Sequence, residues 1–335
     1  MKKILKDKKI IYVYTGDHPV HRAFAETVTK ESVHISEKIP SGYDIYLTEG
    51  TYVLPVILKL TGLLGRNAKV ITLFAENRLY YLKHRKRFNR EKNTIEEMSL
   101  LRRLIYMFCL KKLDGAICEG DSNIEIFREF DIGVPYVEVD PFIRTEWYTK
   151  LKKFPQPELK NKNILFVGNG PDYYYKGLDL LIKSTKKLRE TDNGYHLYIL
   201  GKYWENIGLD LDGVHFEGYQ SITKYLDKCS LLVHVGRGEG FGINIIDAML
   251  AGVPALVSDK TGAKGAVAKV SDNLIVGLNE KEVCDAIENY FSLNIKDRLA
   301  LAKKSKNVAS EFDKGKILAK FKLKFLKLLE GVYRK

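Results

Sequence analysis

Residues 231–252 read LLVHVGRGEGFGINIIDAMLAG, and this stretch decides the fold class. An apolar run of strand type leads into a glycine-rich loop, and apolar residues then recur at helical spacing: Ile245, Ile246, Met249 and Leu250. Glycines let a backbone approach a ligand closely, and a helix N-terminus offers unpaired N–H groups and a positive dipole end. The stretch therefore predicts a strand–loop–helix unit of a parallel α/β sheet, with a phosphate-binding loop.

Two acidic residues stand eight positions apart in this stretch, Glu239 in the loop and Asp247 about one and a half turns into the helix. A carboxylate in the loop can accept hydrogen bonds from sugar hydroxyls, and one on the helix can clamp the vicinal diol of a ribose. The structural alternative for Glu239 is a helix-capping carboxylate. The phosphate-binding loop and the two carboxylates together suit a ligand that carries both phosphate and hydroxyl groups.

Short apolar runs alternate with helical segments along the rest of the chain, which indicates βαβ units and parallel sheets. The runs predicted as strands are Ile10–Tyr14, Asp44–Thr48, Lys69–Phe74, Asp114–Cys118, Tyr136–Val139, Ile164–Val167, His196–Leu200, Val214–Phe216, Leu231–Val235 and Ala255–Val257. The segment Lys152–Glu158 contains two prolines and no periodicity, so we interpret it as a linker. We predict two Rossmann-like domains, residues 1–150 and 160–312, facing across a cleft, and an amphipathic helix over 313–335.

The loop and helix resemble the Glu-x7-Glu motif of the group 1 (family 4) retaining glycosyltransferases, which have the GT-B fold. Three further segments are similar to motifs of that family: Phe166–Asn169, Tyr175–Leu181 and Ala251–Pro254 with Ser258 and Asp259. The resemblance covers about residues 160–290, and over the first half of the chain it is one of topology alone. Among the departures from the pattern, Asp247 replaces the second Glu and Asn169 replaces an Arg.

The resemblance implies a sugar transfer from a UDP- or GDP-sugar to a glycan or lipid-linked acceptor, with retention of configuration. It assigns Glu239 to donor orientation, and Lys176 to the leaving diphosphate together with backbone amides. Residues expected to bind the donor are Gly16, Asn169, Lys176, Tyr219, Arg237, Gly240, Phe241, Gly242, Ile243 and Asp247. Two alternatives stay open: a non-catalytic nucleotide-sugar-binding protein, and another GT-B enzyme such as an epimerase.

The N-terminal domain is expected to supply the acceptor site. Glu49 and Tyr52 follow one predicted strand and Glu76 follows another, so their side chains are candidates to line it. No Asp-x-Asp pair stands at a strand end, and His18 with His21 lacks a carboxylate partner in a metal pattern, so we predict no metal and no resident cofactor. The four cysteines lie among apolar residues and are predicted to be core thiols.

The formal net charge of +13 indicates anionic partners. Basic residues cluster in one stretch of the N-terminal half: Lys83, Arg85, Lys86, Arg87, Arg90, Lys92, Arg102, Arg103, Lys111 and Lys112. Aromatic residues are not interleaved with them, so nucleic acid is not the predicted partner. Nearby apolar residues (Leu79–Leu82, Phe88, Leu104, Ile105, Met107 and Phe108) suggest an anionic membrane surface, with the alternative that residues 104–108 face the core.

No signal-peptide core and no apolar run long enough to span a bilayer occurs in the sequence. We therefore predict a cytoplasmic protein, peripheral on the inner face of the membrane if it binds lipid.

Overall fold

The computed structural model describes residues 8–16, 18–75, 77–89, 94–170, 173–203 and 212–334. The strands are β1 (Ile10–Tyr14), β2 (Ser32–His34), β3 (Ile45–Glu49), β4 (Lys69–Phe74), β5 (Lys86–Asn89), β6 (Thr94–Glu97), β7 (Gly115–Glu119), β8 (Tyr136–Val139), β9 (Lys162–Val167), β10 (Tyr195–Leu200), β11 (Val214–Gly218), β12 (Leu231–His234), β13 (Ala255–Ser258) and β14 (Ile275–Val276). The helices are α1 (Pro19–Glu26), α2 (Val53–Leu60), α3 (Arg78–Lys83), α4 (Leu100–Leu110), α5 (Gly120–Glu129), α6 (Thr145–Lys152), α7 (Leu178–Arg189), α8 (Ile243–Ala251), α9 (Lys264–Ala268), α10 (Glu280–Ser292), α11 (Ile295–Ala309) and α12 (Lys314–Arg334).

The chain divides into two compact units, Met1–Phe142 with Lys314–Lys335, and Ile143–Asp313. In the N-terminal unit six parallel strands follow the order β2-β1-β3-β4-β7-β8. Its central strands are buried along their whole length, which explains why they read as continuous apolar runs in the sequence. Strands β5 and β6 form a separate antiparallel hairpin.

The C-terminal unit has a second six-stranded parallel sheet, with the order β11-β10-β9-β12-β13-β14. This is the strand order of a Rossmann fold, in which the direction of winding reverses between the first and fourth strands, here β9 and β12. Ligands of such sheets bind outside the carboxyl ends of the strands at the reversal. The loops after Val167 and His234 flank that point.

The boundary between the units differs from the predicted one. Residues 143–150 were expected to close the first domain, but the second unit begins at Ile143. Helix α6 buries Tyr148 and Leu151 in the core of the C-terminal unit, and α6 packs on α8. The two prolines of the expected linker thus follow a helix of the C-terminal unit and do not separate the units.

The last helix, α12, belongs to the N-terminal unit. Its apolar face, from Ile317 to Val332, is buried in the same core as Phe24 and Phe142, and the Phe321 ring stacks on that of Phe24 with centroids 4.6 Å apart. The predicted amphipathic helix is therefore present, and the N-terminal sheet is the surface it covers.

The four cysteines are buried free thiols, as predicted. Within the described ranges, no helix combines the length and the apolar character that a bilayer crossing requires.

Candidate functional site

The candidate site lies at the winding reversal of the C-terminal sheet. The turn before α7 and the loop after β12 approach each other closely there, since a Cβ at Gly177 would lie 1.9 Å from the Val235 carbonyl oxygen. Gly177 also has φ +75°, in the left-handed region that favours glycine. The glycine in the Lys176-Gly177 pair therefore brings Lys176 to the loop that carries Glu239.

Lys176 and Glu239 form an ion pair in which the Nζ and Oε2 atoms are 2.7 Å apart. Both side chains are largely buried but retain some exposure to solvent. Burial opposes ionisation of Glu239, but the charge of Lys176 and the contact with His234 outweigh it, so the pKa of Glu239 lies well below its usual range. The site thus keeps an ionised carboxylate beside an ammonium group.

His234, the last residue of β12, is the third member of this cluster. Its Nε2 lies 3.2 Å from Glu239 Oε2, and its ring stacks on Phe166 with centroids 5.9 Å apart. The imidazole is completely buried, and burial lowers its pKa despite the neighbouring carboxylate. A neutral imidazole here can donate one N–H toward Glu239 and fix the orientation of that carboxylate.

The loop ends in the N-terminus of α8, as predicted. Gly242 is the N-cap with φ +87°, and Ile243 is the first helical residue, so their amides stand where a helix has no internal acceptors. The Phe241 ring is buried against Phe312, with centroids 5.7 Å apart, and holds the loop on the domain. Backbone N–H groups at such a helix start favour an anion.

Asp247, predicted to clamp a ribose, is buried on α8. Burial raises its pKa to about 7, although Trp147 donates a hydrogen bond to it and Arg144 adds a favourable charge. Its Oδ1 is buried and has no hydrogen-bond partner among the described residues. A buried oxygen of this kind calls for a partner, and a hydroxyl group of a ligand can provide one.

Arg237 was predicted to bind the donor. In the structure its guanidinium forms a bidentate ion pair with Asp179 in the first turn of α7, at 2.7 and 2.9 Å. The group also lies 4.0 Å from the centroid of the Tyr174 ring. This arrangement anchors the loop to α7, so a contact with a diphosphate requires the ion pair to open.

Asn169 follows β9, where the family has an Arg. Its Oδ1 accepts a hydrogen bond of 3.0 Å from the backbone N–H of Lys202, whose ammonium lies 4.5 Å from the centre of the Tyr219 ring. The structure thus groups Asn169 and Tyr219, both predicted donor contacts, around a cation that the sequence reasoning missed. Glu217, on β11 near Tyr219, accepts a hydrogen bond from the Tyr225 hydroxyl within the same unit.

The predicted residues of the N-terminal half form a second group. Gly16 follows β1, and a Cβ there would meet no atom within 4 Å. Glu49 is buried, with Oε1 2.5 Å from His21 Nδ1 and Oε2 2.7 Å from the Tyr12 hydroxyl. Tyr52 is buried and lines a cavity described below, whereas Glu76 lies outside the described residues.

Besides Lys202, four residues of the C-terminal site were not predicted: His234, Asp179, Trp147 and Arg144. His234 ends a strand that was predicted, so its position next to the loop was the one signal that could have identified it. The other three lie on segments whose packing is decided by tertiary structure. Trp147 and Arg144 fell in the segment assigned to the wrong domain.

No group of three or more His, Cys, Asp or Glu side chains suited to a metal ion occurs in the part of the chain that the structure describes. Metal independence of the reaction stays a prediction, since no ligand complex tests it.

Comparison with known proteins identifies the fold of the chain. HepE from Anabaena in complex with UDP has a TM-score of 0.66 at 14% identity, with 96% of this chain and 99% of that chain covered. A sucrose-phosphate synthase from Thermosynechococcus elongatus has a TM-score of 0.63 at 15% identity, covering 86% of this chain and 74% of that one. The chain has the GT-B fold, as predicted.

Residues 161–292 match the family model described as "Glycosyl transferases group 1". The resemblance to the group 1 glycosyltransferases inferred from the sequence is thereby confirmed over these residues, which lie in the C-terminal unit. A mouse (Mus musculus) relative, "GDP-Man:Man(3)GlcNAc(2)-PP-Dol alpha-1,2-mannosyltransferase", is 24% identical over 147 residues, which are 42% of this chain and 30% of the mouse protein. The chain thus spans less than a third of that relative in the aligned region.

Proposed function

We propose that the protein is a retaining, metal-independent glycosyltransferase that uses a nucleotide-diphospho-sugar donor. The observation that carries the proposal is the Lys176–Glu239 ion pair at the N-terminus of α8, on the loop at the winding reversal of the sheet. The family match over residues 161–292 supports the same activity.

The chemistry follows from where charge develops. Cleavage of the glycosyl–phosphate bond builds negative charge on the leaving diphosphate, and preorganised cations and amides lower the barrier to it. Lys176 supplies the cation, and Gly242 with Ile243 supplies amides. Glu239 orients the sugar, and Asp247 accepts from the ribose hydroxyls. The acceptor attacks on the face from which the diphosphate leaves, and the diphosphate takes the acceptor proton.

The donor is a UDP- or GDP-sugar. HepE was crystallised with UDP, and the name of the mouse relative specifies GDP-mannose, so the relatives support both bases. A thermal-shift panel of UDP, GDP and ADP identifies the base: we expect one of them to raise the melting temperature with the steepest concentration dependence. A panel without any shift would contradict nucleotide binding.

An assay of glycosyl transfer distinguishes a glycosyltransferase from a binding protein without catalysis and from an epimerase. Full-length protein with the sugar of the preferred nucleotide should transfer or hydrolyse it, and proton NMR of the first-formed product should show the donor's anomeric configuration. Activity should survive excess EDTA because the catalytic charges are Lys176 and backbone amides. An epimerised nucleotide-sugar as the product would overturn the transferase activity, and a product of inverted configuration would overturn retention. Activity that is lost in EDTA and restored by a divalent ion would overturn metal independence.

We also propose that the protein binds an anionic membrane surface, where a lipid-linked acceptor is available. The name of the mouse relative specifies an acceptor with a PP-Dol group, which supports a lipid-linked acceptor here. The observation in this chain is a set of exposed apolar side chains on α2, α4 and the turn after α2, which we term the apolar face: Leu54, Ile57, Leu60, Leu63, Leu100, Leu101, Leu104, Ile105 and Phe108.

The residues of the apolar face differ from those that the sequence predicted for the membrane-binding surface. Leu104, Ile105 and Phe108 are exposed, so the alternative that residues 104–108 face the core is wrong for these three. Met107 does pack against the core, and Leu79 and Leu82 are buried in it. Contiguous exposed apolar patches of this kind mark interaction sites. Exposed cations border the apolar face at Arg102, Lys111 and Lys112, which favours anionic lipid at about 1 kcal/mol per basic residue near the surface.

Sedimentation with vesicles tests this second proposal. Full-length protein should sediment with vesicles that contain phosphatidylglycerol, less so at high salt, and little with phosphatidylcholine alone. Replacing Leu101 and Leu104 by Ser should abolish sedimentation, whereas Leu299→Ser with Leu323→Ser, at exposed positions on other helices, should not. Equal recovery of the protein in the supernatant with both kinds of vesicle would reject membrane binding.

A further inference from the structure

A cavity of about 230 Å³ lies at the carboxyl ends of β3 and β4 in the N-terminal unit. Four of its lining residues are cations contributed by three separate elements: Arg78 from α3, Lys86 and Arg87 from the β5–β6 hairpin, and Arg102 from α4. None of the described residues that line the cavity is acidic. Lys86 and Arg87 have carboxylate partners outside the lining, but four cationic side chains around so small a space still give it a positive potential that favours an anion.

The position of Arg78 depends on a glycine in the loop after β3. Gly50 has φ +60°, and a Cβ there would lie 2.3 Å from Arg78 Cδ, so the side chain passes directly over the Gly50 backbone. A larger residue at this position would displace the guanidinium from the cavity wall. The backbone of the loop is thus shaped to admit a basic side chain.

Carboxylates near these cations lie outside the cavity lining. Arg87 pairs with Glu96 at 2.5 Å, and Lys86 lies 3.5 Å from Glu97, whose side chain is 80% exposed. The exposed Lys86–Glu97 pair contributes little, because water and salt screen it. The hairpin therefore carries its basic side chains on β5 toward the cavity, while the carboxylates that pair with them lie on β6.

The remaining lining is apolar and aromatic. The Tyr52 ring lies 5.6 Å from that of Phe74 and 5.9 Å from that of Tyr106, and Arg102 lies 5.6 Å from the Tyr106 ring. Tyr106 and Arg102 are on α4, the helix whose other side contributes Leu101 and Ile105 to the apolar face. One helix therefore presents a basic and aromatic wall to the cavity and an apolar side to the surface.

We propose that this cavity binds the acidic group of an amphiphilic ligand, namely a phosphate-class anion attached to a hydrocarbon chain. Two to four cationic side chains suit the several oxygens of a phosphate, and the aromatic wall with the adjoining apolar face suits the chain. The identification of this ligand as the glycosyl acceptor rests on the function proposed above. The binding site itself is independent of that function.

The test uses decyl phosphate as the probe, below its critical micelle concentration, with calorimetric titration of the full chain at fixed ionic strength. We expect saturable binding of decyl phosphate, weaker binding of inorganic phosphate and weaker binding of decyl maltoside. The double variant Lys86→Gln with Arg102→Gln should weaken decyl phosphate binding by about 10-fold to 100-fold, since hydrogen bonds to charged groups have that strength.

The control variant is Lys30→Gln with Lys38→Gln, which removes two exposed charges of the same unit outside the cavity lining. It should bind decyl phosphate as the unmodified chain does. Arg102→Glu is a second cavity variant, whose charge reversal should weaken binding further. Equal affinity in the cavity and control variants, or equal binding of decyl phosphate and decyl maltoside, would overturn the proposal.

Titration with the preferred nucleotide separates this inference from the proposed function. Loss of decyl phosphate binding with intact nucleotide binding in the cavity variants supports the cavity as a separate site. Decyl phosphate binding in a protein that never binds a nucleotide would reject the transferase proposal and leave the cavity assignment standing. Competition experiments identify the source of the anion. Displacement of decyl phosphate by phosphatidic acid vesicles indicates a membrane headgroup, and displacement by inorganic phosphate indicates free phosphate.

Discussion

His234 Nε2 lies 3.2 Å from Glu239 Oε2, while Phe166 covers the face of the imidazole. The contact joins the end of a buried strand to the loop that carries the predicted donor contact. It defines Glu239 as a carboxylate held from two sides, by His234 and by Lys176.

We predict that His234→Phe retains the packing of the ring but removes the polar contact. Turnover should fall by roughly 10-fold or more, because a hydrogen bond to a charged group contributes on the order of 1.5 kcal/mol or more. Nucleotide affinity should change little, since Glu239 is assigned to the sugar. Steady-state kinetics with calorimetric titration of UDP or GDP separates the two effects. A variant that folds and turns over at the normal rate would remove His234 from the site.

Lys176→Ala should lower kcat by about 10²-fold or more, since the ammonium stabilises charge that grows in the transition state. Lys183→Ala, at an exposed position on α7, is the matched control and should be close to the unmodified protein. Circular dichroism must show a folded protein, because removal of Lys176 leaves the largely buried Glu239 without its cation. An unchanged kcat in the folded variant would contradict the assignment.

Glu239→Gln and Asp247→Asn should have different kinetic defects. The ribose contact of Asp247 is similar in the ground and transition states, so its loss should raise KM more than it lowers kcat. Loss of Glu239 should mainly lower kcat, because donor orientation matters most in the transition state. Initial-rate kinetics over a range of donor concentration distinguishes the two, and identical defects would refute the separate roles.

Asp247 should also give nucleotide binding a pH dependence. Its pKa is raised to about 7 in the free protein, and hydroxyl donors favour the ionised form, so binding should release part of a proton near neutral pH. Affinity should accordingly fall as the pH drops below about 7. Without ligand the same raised pKa makes the protein less stable as the pH rises from about 4 to 7.

Calorimetry in two buffers of different ionisation enthalpy counts the released protons. Asp247→Asn is the reference, because the phosphates of the nucleotide titrate equally with both proteins. The unmodified protein should release more protons than the variant. The same proton count in both would show that Asp247 does not change its ionisation on binding.

The Arg237–Asp179 ion pair should act as an anchor for the loop. Arg237→Gln and Asp179→Asn should each reduce the free energy of unfolding, with a coupling energy of about 0.5 to 1 kcal/mol in the double variant. Urea denaturation measures the coupling. Both single variants should weaken nucleotide binding alike and modestly. A large loss of affinity in Arg237→Gln alone would show instead that the guanidinium contacts the diphosphate.

Three strands, β1, β4 and β8, have the predicted bounds. Strands β1 and β4 are buried along almost their whole length and therefore appear as apolar runs between turns, whereas β8 alternates half-buried and buried residues. The β5–β6 hairpin was missed because its sequence is largely polar and its pairing is local to the surface. The short strands β2 and β14 were missed because two or three residues carry no period.

The part of the candidate site that could be predicted consists of residues close together in the sequence. Glu239, the glycines around it and Asp247 follow one another on one strand–loop–helix unit. Long-range partners were not predictable in the same way. Lys176 and Glu239 are 63 residues apart, and no local rule indicates that their side chains pair. Trp147 contacts Asp247 from α6, a helix of the C-terminal unit. The sequence analysis placed this helix in the N-terminal domain, so the contact could not be predicted.

The final helix, Lys314–Arg334, completes a core that begins with the first strand, after the chain has passed through the whole C-terminal unit. During synthesis the ribosome delivers the N-terminal sheet long before the helix that covers one of its faces. Until then the side chains that later contact Phe321 and Phe325 face solvent, and the emerging chain is open to aggregation or to chaperone binding. Of the two units, the one whose synthesis begins first is therefore completed second.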